Sequence, residues 1–361
     1  MLQQTSTQTL LQVVNDMEAS AEVAELVYTD STQPGISRIR RGKGFVYFID
    51  KLKITDEKTL TRIRSLVIPP AWKNVWICAD HRGHLQATGT DARNRKQYRY
   101  HPHWQHVRNH AKYSTLLEFG EALPQIRNRL EKDIAQKELT EQMVLALVIR
   151  LMEETYMRIG NSYYEKINGS HGITTLKDKH VQIEGSDITF SFNGKKGISH
   201  TINLHSRKLA RLVRQCRDIP GKELFQYIAP DGSRRKVDSG MVNNYIKMIS
   251  QKQFTAKDFR TWAGSVNALC KILEMQKSGI EINQRTAINE VIDYVSNKLG
   301  NTRAVCKKYY IHPTILDLLS ENKLPEFNGT VNQKNKSSLS PVENWLIKIL
   351  KSKKKIILEV K

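Results

Sequence analysis

The sequence has few cysteines, and they lie far apart. Its 361 residues include only Cys78, Cys216, Cys270 and Cys306, and no two of them form a C-x-x-C pair. This spacing argues against a disulfide framework and against a zinc site with cysteine ligands. Reduced thiols in a cytosolic compartment fit the pattern better, so we expect a cytoplasmic protein.

Common nucleotide-binding and metal-binding motifs are also missing from the sequence. It contains no GxxxxGK[ST] loop for a nucleotide phosphate and no HExxH zinc motif. His106 and His110 have the i, i+4 spacing of helical metal ligands, but no third ligand follows at a matching spacing. We therefore expect no metal, no nucleotide cofactor and no other cofactor.

No segment has the pattern of a signal peptide or of a membrane span. Residues 10–29 carry many apolar side chains, but Asp16, Glu18, Glu22 and Glu25 interrupt them. Such interruptions are typical of a surface helix and not of the apolar core of a signal peptide. We therefore expect no membrane partner.

The chain is strongly basic. It has 57 Lys and Arg against 36 Asp and Glu, a formal net charge of +21. A charge of this size indicates a polyanionic partner, because each neutralised phosphate releases counterions whatever the sequence of the nucleic acid. On charge alone, an anionic membrane or a merely solvated basic surface are alternatives to nucleic acid.

The hydrophobic pattern predicts an α+β protein with a lead-in over residues 1–32 and a small β-rich domain over 33–105. Short β-prone runs separated by Gly and Asp turns characterise the latter, with one helix near 57–66. The β-prone runs cover residues 45–49, 75–78 and 84–88.

Residues 106–320 change to a mainly helical pattern, and 321–361 form a linker and a basic extension. Residues 145–152 are apolar almost all round, which predicts a buried central helix that stops at Gly160. Alternating apolar residues on both sides of Asn193 and Gly194 predict a β-hairpin. Ser340 and Pro341 start a last short helix, which the basic run 351–355 follows.

Three basic residues occupy positions that suit a phosphate. Lys195 lies at the predicted hairpin tip, and Arg158 closes the buried helix, where an unpaired charge is costly unless it faces a carboxylate or a phosphate. Thr255 and Asp258 resemble a capping box, which places Arg260 close to a first helical turn, where free N–H groups favour an anion. Taken singly, each of the three also fits a salt bridge or a surface position.

Residues 300–313, GNTRAVCKKYYIHP, resemble the active-site segment of the type IB DNA topoisomerases, in particular the small bacterial and poxvirus enzymes. Further motifs of that family follow one another in the expected order, and the resemblance covers roughly residues 26–319. These motifs lie at residues 34–45, 68–72, 88–102, 157–161, 174–177 and 257–262.

The resemblance implies a tyrosine nucleophile that attacks the scissile phosphodiester, forms a 3′-phosphotyrosyl link and frees a 5′-hydroxyl. By motif position, Tyr310 is that nucleophile, and its assistants are two arginines, a lysine and an asparagine. The asparagine replaces the histidine of viral and eukaryotic members, so catalysis is expected to depend more on the arginines. The assistants are Arg158, Lys195, Arg260 and Asn301.

Elementary chemistry agrees with these roles. A phenol of pKa about 10 is mostly protonated at neutral pH, so attack needs nearby cations and a route for the proton. Two guanidiniums can hold the non-bridging oxygens of the transition state, and Lys195 is the candidate acid for the leaving 5′-oxygen. Tyr309 competes with Tyr310, because neighbours on a helix point about 100° apart and only one can face the phosphate; the motif position selects Tyr310.

The pattern from Gln97 to Tyr100 resembles a strand that contacts DNA in viral members. Strand alternation puts Tyr98 and Tyr100 on one face and Arg95, Gln97 and Arg99 on the other. A core position for one tyrosine is equally compatible with the sequence. The predicted DNA contacts are Arg95, Gln97, Tyr98, Tyr100 and Lys308.

These features predict a monomeric, C-shaped clamp that binds double-stranded DNA in the bacterial cytosol. It nicks one strand, lets the free end swivel, and reseals the strand, so that supercoils of both signs relax without ATP. A tyrosine recombinase is the nearest alternative, but the β-like residues 44–100 and the motif at 68–72 favour the topoisomerase. A DNA-binding protein with a decayed site is a further alternative, which the complete set of five groups disfavours.

Overall fold

The computed structural model describes residues 17–42, 44–92, 94–278, 283–327, 329 and 338–359. The chain divides into two units, Met1–Thr115 and Leu116–Lys361. None of the helices within the described ranges is long and apolar enough to cross a membrane.

The first unit is built on a six-stranded antiparallel sheet with the strand order β3-β2-β1-β4-β5-β6. Its core is a set of buried aliphatic residues on the sheet and on one helix, among them Ile36, Ile63 and Ile77. The predicted strands and the helix near 57–66 are confirmed. The elements are α1 (Met17–Val23), β1 (Ile36–Arg41), β2 (Gly44–Ile49), β3 (Leu52–Lys53), α2 (Glu57–Ser65), β4 (Lys73–Ile77), β5 (Leu85–Thr90) and β6 (Lys96–Tyr100).

The second unit is mainly helical, as predicted. The long helix α3 crosses from the first unit into it, and a three-stranded and a two-stranded sheet interrupt the helices. The elements are α3 (Pro102–Ile134), α4 (Glu141–Thr155), α5 (Ser162–Asn168), β7 (Val181–Glu184), β8 (Asp187–Asn193), β9 (Ser199–His205), α6 (Arg207–Arg217), β10 (Gln226–Ile228), β11 (Arg234–Lys236), α7 (Ser239–Ser250), α8 (Ala256–Lys277), α9 (Gln284–Leu299), α10 (Arg303–Tyr309), α11 (Pro313–Ser320) and α12 (Pro341–Glu359).

The central helix α4 is buried on nearly all sides, which confirms the expectation from its apolar sequence. The predicted end at Gly160 is wrong. The helix ends at Thr155 because Tyr156 takes a left-handed conformation (φ 57°) and its N–H caps the carbonyl of Met152. Arg158 therefore lies beyond the helix, in the segment that leads to α5, and does not close it.

The predicted β-hairpin is formed by β8 and β9, with Phe192 opposite His200 in the register. The strands are joined by a short turn of 3₁₀ helix at Lys195–Gly197. Within this turn the N–H of Gly194 donates to the carbonyl of Ile198 at 2.7 Å. The hairpin tip is therefore an ordered loop and presents Lys195 at the surface.

The last helix, α12, is longer than predicted and runs through the basic segment 351–355. Lysine is a good helix former, and nothing in that segment breaks a helix. Trp345, Leu346 and Ile349 are buried, and α12 packs against α8. Its N-terminal turn reaches Trp262 of α8, whose indole N–H donates to Oε1 of Glu343 at 2.9 Å.

Candidate active site

Four chain segments of the second unit contribute four of the five residues predicted for catalysis. Arg158 follows α4, and Arg260 lies in the second turn of α8. Asn301 follows the left-handed cap of α9 at Gly300, and Tyr310 ends α10. Hydrogen bonds and ring contacts join these segments.

Arg260 is held in place by the start of α8. The capping interaction predicted there is present, because the carboxylate of Asp258 accepts the backbone N–H of Thr255 at 2.7 Å. Arg260 is only 5 % exposed. Its Nη1 donates to the carbonyl of Tyr156, and its Nη2 donates to that of Leu299 at 2.8 Å. Its buried Nε finds no hydrogen-bond partner in the described part of the chain.

Arg158 and Asn301 are joined by a hydrogen bond. Nη2 of Arg158 donates to the carbonyl of Gly300 at 2.7 Å and also to Oδ1 of Asn301. Because Oδ1 is used in this way, the amide nitrogen of Asn301 is the free end of the side chain. That nitrogen, Nδ2, is buried and has no hydrogen-bond partner of ordinary geometry among the described residues. The thiol of Cys306, a weak partner, lies beside Asn301, so Nδ2 is a donor available to a ligand.

The two guanidiniums form a cationic pair without a carboxylate. Neither Arg158 nor Arg260 makes an ion pair within the part of the chain that the structure describes. Their acceptors are backbone carbonyls, an amide oxygen and, for Arg260, the phenol of Tyr310. Burial, and after it the charge of Arg260, lower the pKa of Arg158 to about 10. Burial also lowers the pKa of Arg260. An anion bound here would compensate both unpaired charges.

Tyr310 lies beside this pair. The centre of its ring is 5.3 Å from Cζ of Arg260. Its phenol oxygen hydrogen-bonds Arg260, and this contact partly offsets the fall in the pKa of Arg260 that burial causes. Tyr309 is 37 % exposed, and Nζ of Lys308 lies 5.3 Å from its ring. Of the two tyrosines, Tyr310 is thus the one that contacts Arg260.

Two small residues of α8 hold the backbone of Tyr310, and neither was predicted from the sequence. A Cβ on Gly264 would lie 2.4 Å from the carbonyl oxygen of Tyr310. The hydroxyl of Ser265 donates to that same oxygen at 3.4 Å and accepts the N–H of His312 at 3.0 Å. The available signal was a glycine inside a helix four residues after Arg260, and therefore on the same face.

The structure does not bring Lys195 into contact with these groups. Its side chain is exposed at the hairpin tip. The same hairpin contributes another residue, His200, which was not predicted from the sequence. His200 lines a cavity of 340 Å³ together with Arg158 and Arg260. The sequence signal for His200 was its place between Ile198 and Ile202, where a polar residue takes a position of an otherwise apolar alternation.

Comparison with known proteins identifies the family to which this fold and site belong. Residues 101–337 match the family model of the eukaryotic DNA topoisomerase I catalytic core. Residues 44–91 match that of the bacterial DNA topoisomerase IB N-terminal domain. The chain belongs to the type IB DNA topoisomerases. The resemblance and the enzyme class predicted from the sequence are thus confirmed.

Similar proteins of the family come from viruses. DNA topoisomerase 1B of Acanthamoeba polyphaga mimivirus is 31 % identical over 332 residues, which cover 90 % of this chain and 96 % of the viral one. DNA topoisomerase 1B of vaccinia virus (strain Copenhagen) is 25 % identical over 235 residues, 64 % of this chain and 72 % of the viral one. The similarity to the mimivirus topoisomerase thus extends through both units.

The residues predicted to bind DNA in the sheet unit of this topoisomerase lie on β6 and just before it. Tyr98 and Tyr100 are 47 % and 37 % exposed, and their rings stack with centres 6.0 Å apart. Neither is a core residue. On the other side of the strand, Nε of Arg95 and Nε2 of Gln97 each donate to Oδ2 of Asp91 at 2.9 Å. Asp91 therefore fixes the orientation of both side chains.

The structure was also searched for side chains that could bind a metal ion. Within them, no group of three or more His, Cys, Asp or Glu side chains is arranged to hold a metal ion. The side chains of His106 and His110 lie outside the described residues.

Proposed function

We propose that this topoisomerase cleaves one strand of duplex DNA by attack of the Tyr310 phenol on a backbone phosphodiester. The single observation that carries the proposal is the cationic pair of Arg158 and Arg260, which has carbonyl partners but no carboxylate among the described residues. Arg260 of this pair also contacts the ring of Tyr310. A scissile phosphate between the two guanidiniums would supply the missing negative charge.

The roles of the individual groups follow from their donors. Arg158 and Arg260 stabilise the charge that builds up on the non-bridging oxygens in the transition state. The free amide nitrogen of Asn301 donates to one of these oxygens. Lys195, at the hairpin tip, protonates the departing 5′-oxygen when the duplex meets the hairpin. The covalent link that results is a 3′-phosphotyrosyl ester.

The link conserves the energy of the phosphodiester, so resealing by the 5′-hydroxyl needs no nucleotide. Swivelling of the cut strand before resealing relaxes supercoils of either sign. The enzyme acts on double-stranded DNA as a monomer. The exposed tyrosines of β6 and the side chains of Arg95, Gln97 and Lys308 supply further contacts to DNA. The match to a bacterial N-terminal domain supports action in a bacterial cytosol.

The test is relaxation of negatively and positively supercoiled plasmid in EDTA without ATP. The wild-type protein should relax both, and denaturation with detergent during the reaction should trap a covalent protein–DNA adduct. Tyr310→Phe should do neither, whereas Tyr309→Phe, the matched control, should retain both activities. An adduct formed by Tyr310→Phe would overturn the assignment of the nucleophile. Relaxation that persists at high dilution would contradict an obligate tetramer of the recombinase type.

A further inference from the structure

His200 lies between two loops that carry proposed active-site residues, one with Lys195 and one with Asn301. Its ring lies between two glycines: a Cβ on Gly194 would be 2.6 Å from its Cδ2 and Nε2, and a Cβ on Gly300 would be 2.5 Å from its Cε1. Gly194 precedes Lys195 in the hairpin loop, and Gly300 precedes Asn301. The imidazole is therefore packed between the loop that carries the proposed acid and the loop that carries the proposed amide donor.

The packing of His200 fixes the plane of the ring and leaves its polar atoms available. Phe192, opposite on β8, stacks on the ring with centres 5.4 Å apart and planes 29° apart. In the part of the chain that the structure describes, no hydrogen bond engages either ring nitrogen. A neutral histidine held by ring contacts alone has one N–H that is available to donate to a ligand.

The surroundings of His200 indicate an anionic ligand. The ring lines a cavity of 340 Å³ that Arg158 and Arg260 also line. Among the described residues, the other charged or titratable ones around this cavity are Glu154, Tyr156, His171 and Lys298. Glu154 is paired with Arg150 at 3.2 Å, so the arginines of the cavity do not take their counter-charge from it.

We propose that His200 is a further catalytic residue, whose imidazole N–H donates to a non-bridging oxygen of the scissile phosphate. This inference rests on the proposed function, since it concerns the same phosphate. It also offers a reason why asparagine suffices at position 301: a second neutral donor comes from the hairpin. Burial, followed by the charges of Arg158 and Arg260, lowers the pKa of His200, so the ring acts as a neutral donor at physiological pH.

The test uses single-turnover cleavage of an oligonucleotide duplex with a mapped cleavage site. His200→Ala should slow adduct formation by about 10²-fold, the effect of losing one donor to a transition-state oxygen. His200→Gln keeps an N–H donor and should recover a large part of that rate. His205→Ala, on the same strand but exposed in an ion pair with Asp187, should cleave like the wild type.

A modified substrate separates a direct contact from a structural role. Replacing one non-bridging oxygen by methyl, in each of the two stereoisomers, removes one acceptor at a time. For the isomer that lacks the His200 acceptor, wild type and His200→Ala should differ by less than about threefold, because the contact is already lost. If His200→Ala were slowed equally on all substrates, or not slowed on the unmodified one, the proposed role of His200 would be wrong. The proposed function would still hold in that case, provided that the wild type forms the adduct. Failure of the wild type to form an adduct would overturn both.

Discussion

The carbonyl oxygen of Tyr310 faces Gly264 so closely that a Cβ on this glycine would lie 2.4 Å from it. The carbonyl carbon of Tyr310 would be only 2.9 Å away. Both are backbone atoms, so a side chain at position 264 could be accommodated only by moving α8 away from the end of α10. Because Arg260 lies one turn earlier on α8, this close approach sets the distance between Arg260 and the ring of Tyr310.

Gly264→Ala should therefore impair cleavage. The new methyl group should cost about 1–3 kcal/mol in overpacking, and a displacement of Tyr310 would relieve this cost. Because the nucleophile is then out of position, adduct formation should slow about tenfold or more. The rate of covalent adduct formation under single-turnover conditions measures this effect. In the control, Gly44→Ala, the new Cβ has no atom within 4 Å, and the rate should not change. A normal rate for Gly264→Ala would show that the approach of the two helices does not position the nucleophile.

Asn301→Asp should abolish cleavage without destabilising the fold. The substitution keeps the shape of the side chain but places a carboxylate against Arg158, which then has the anionic partner that the site lacks. We expect adduct formation to fall by about 10²-fold or more and Tm to stay the same or rise. Asn301→Ala removes the donor without adding a charge, so it should lower both rate and Tm. A Tm for Asn301→Asp below that of Asn301→Ala would contradict the view of the site as an unpaired cationic pair.

Lys195→Ala tests the proposed general acid. Loss of a general acid should slow cleavage of an ordinary strand by about 10²–10⁴-fold. A substrate with sulfur in place of the 5′-bridging oxygen needs no acid, because a thiolate leaves without protonation, and should be cleaved almost normally. Lys236→Ala, an exposed lysine of β11, is the control and should leave both rates unchanged. Equal damage to both substrates by Lys195→Ala would rule out the acid role.

Glu343→Gln should destabilise the helical unit. The carboxylate accepts from Nη1 and Nη2 of Arg127 at 3.0 and 2.7 Å, and both side chains are at most 10 % exposed. Removing the charge from such a buried hydrogen-bonded pair should cost about 2–3 kcal/mol in the free energy of unfolding. Glu321→Gln, in an exposed pair with Lys323, should cost less than about 1 kcal/mol. Urea unfolding followed by tryptophan fluorescence compares the two.

The contribution of Glu343 should also depend on pH. Burial alone would raise its pKa, but the hydrogen bonds and charge of Arg127 outweigh burial and hold the pKa below its ordinary value. A carboxyl with a depressed folded-state pKa stabilises the fold above its unfolded pKa, about 4.3, and loses this contribution as the pH falls through the folded value. The difference in stability between wild type and Glu343→Gln should thus shrink on acidification below about pH 4.3. A difference that is constant or grows towards low pH would contradict the pairing.

The four cysteines should resist thiol reagents in the native protein. Burial raises the pKa of all four thiols, to about 11 for Cys306 despite its neighbouring arginines and to about 12 for Cys216. The thiolate is the reactive form, so native protein at pH 7.5 should react slowly with a chromogenic disulfide, and denatured protein should react at four sites. Rapid modification of Cys306 in the native state would contradict its burial beside the site.

Local sequence patterns were sufficient for much of the fold. Period-two and helical patterns predicted the strands of the sheet unit, the hairpin and the buried α4, because the spacing of apolar residues along each element reflects which of its faces are buried. The end of α4 was mispredicted, because a glycine is the usual left-handed cap and here Tyr156 takes that conformation. Nothing in the local composition around Tyr156 indicates this.

The sequence by itself determined the family and the residue types of the site, since motif order and spacing survive without knowledge of contacts. Only the tertiary structure decided which groups meet. Arg158 bonds Gly300 from 142 residues away, and Ser265 bonds Tyr310 from 45 residues away. The place of His200 between two glycines is likewise a product of packing. Such contacts depend on how separate helices and a hairpin pack together, and the periodicity of a single element carries no record of its distant partners.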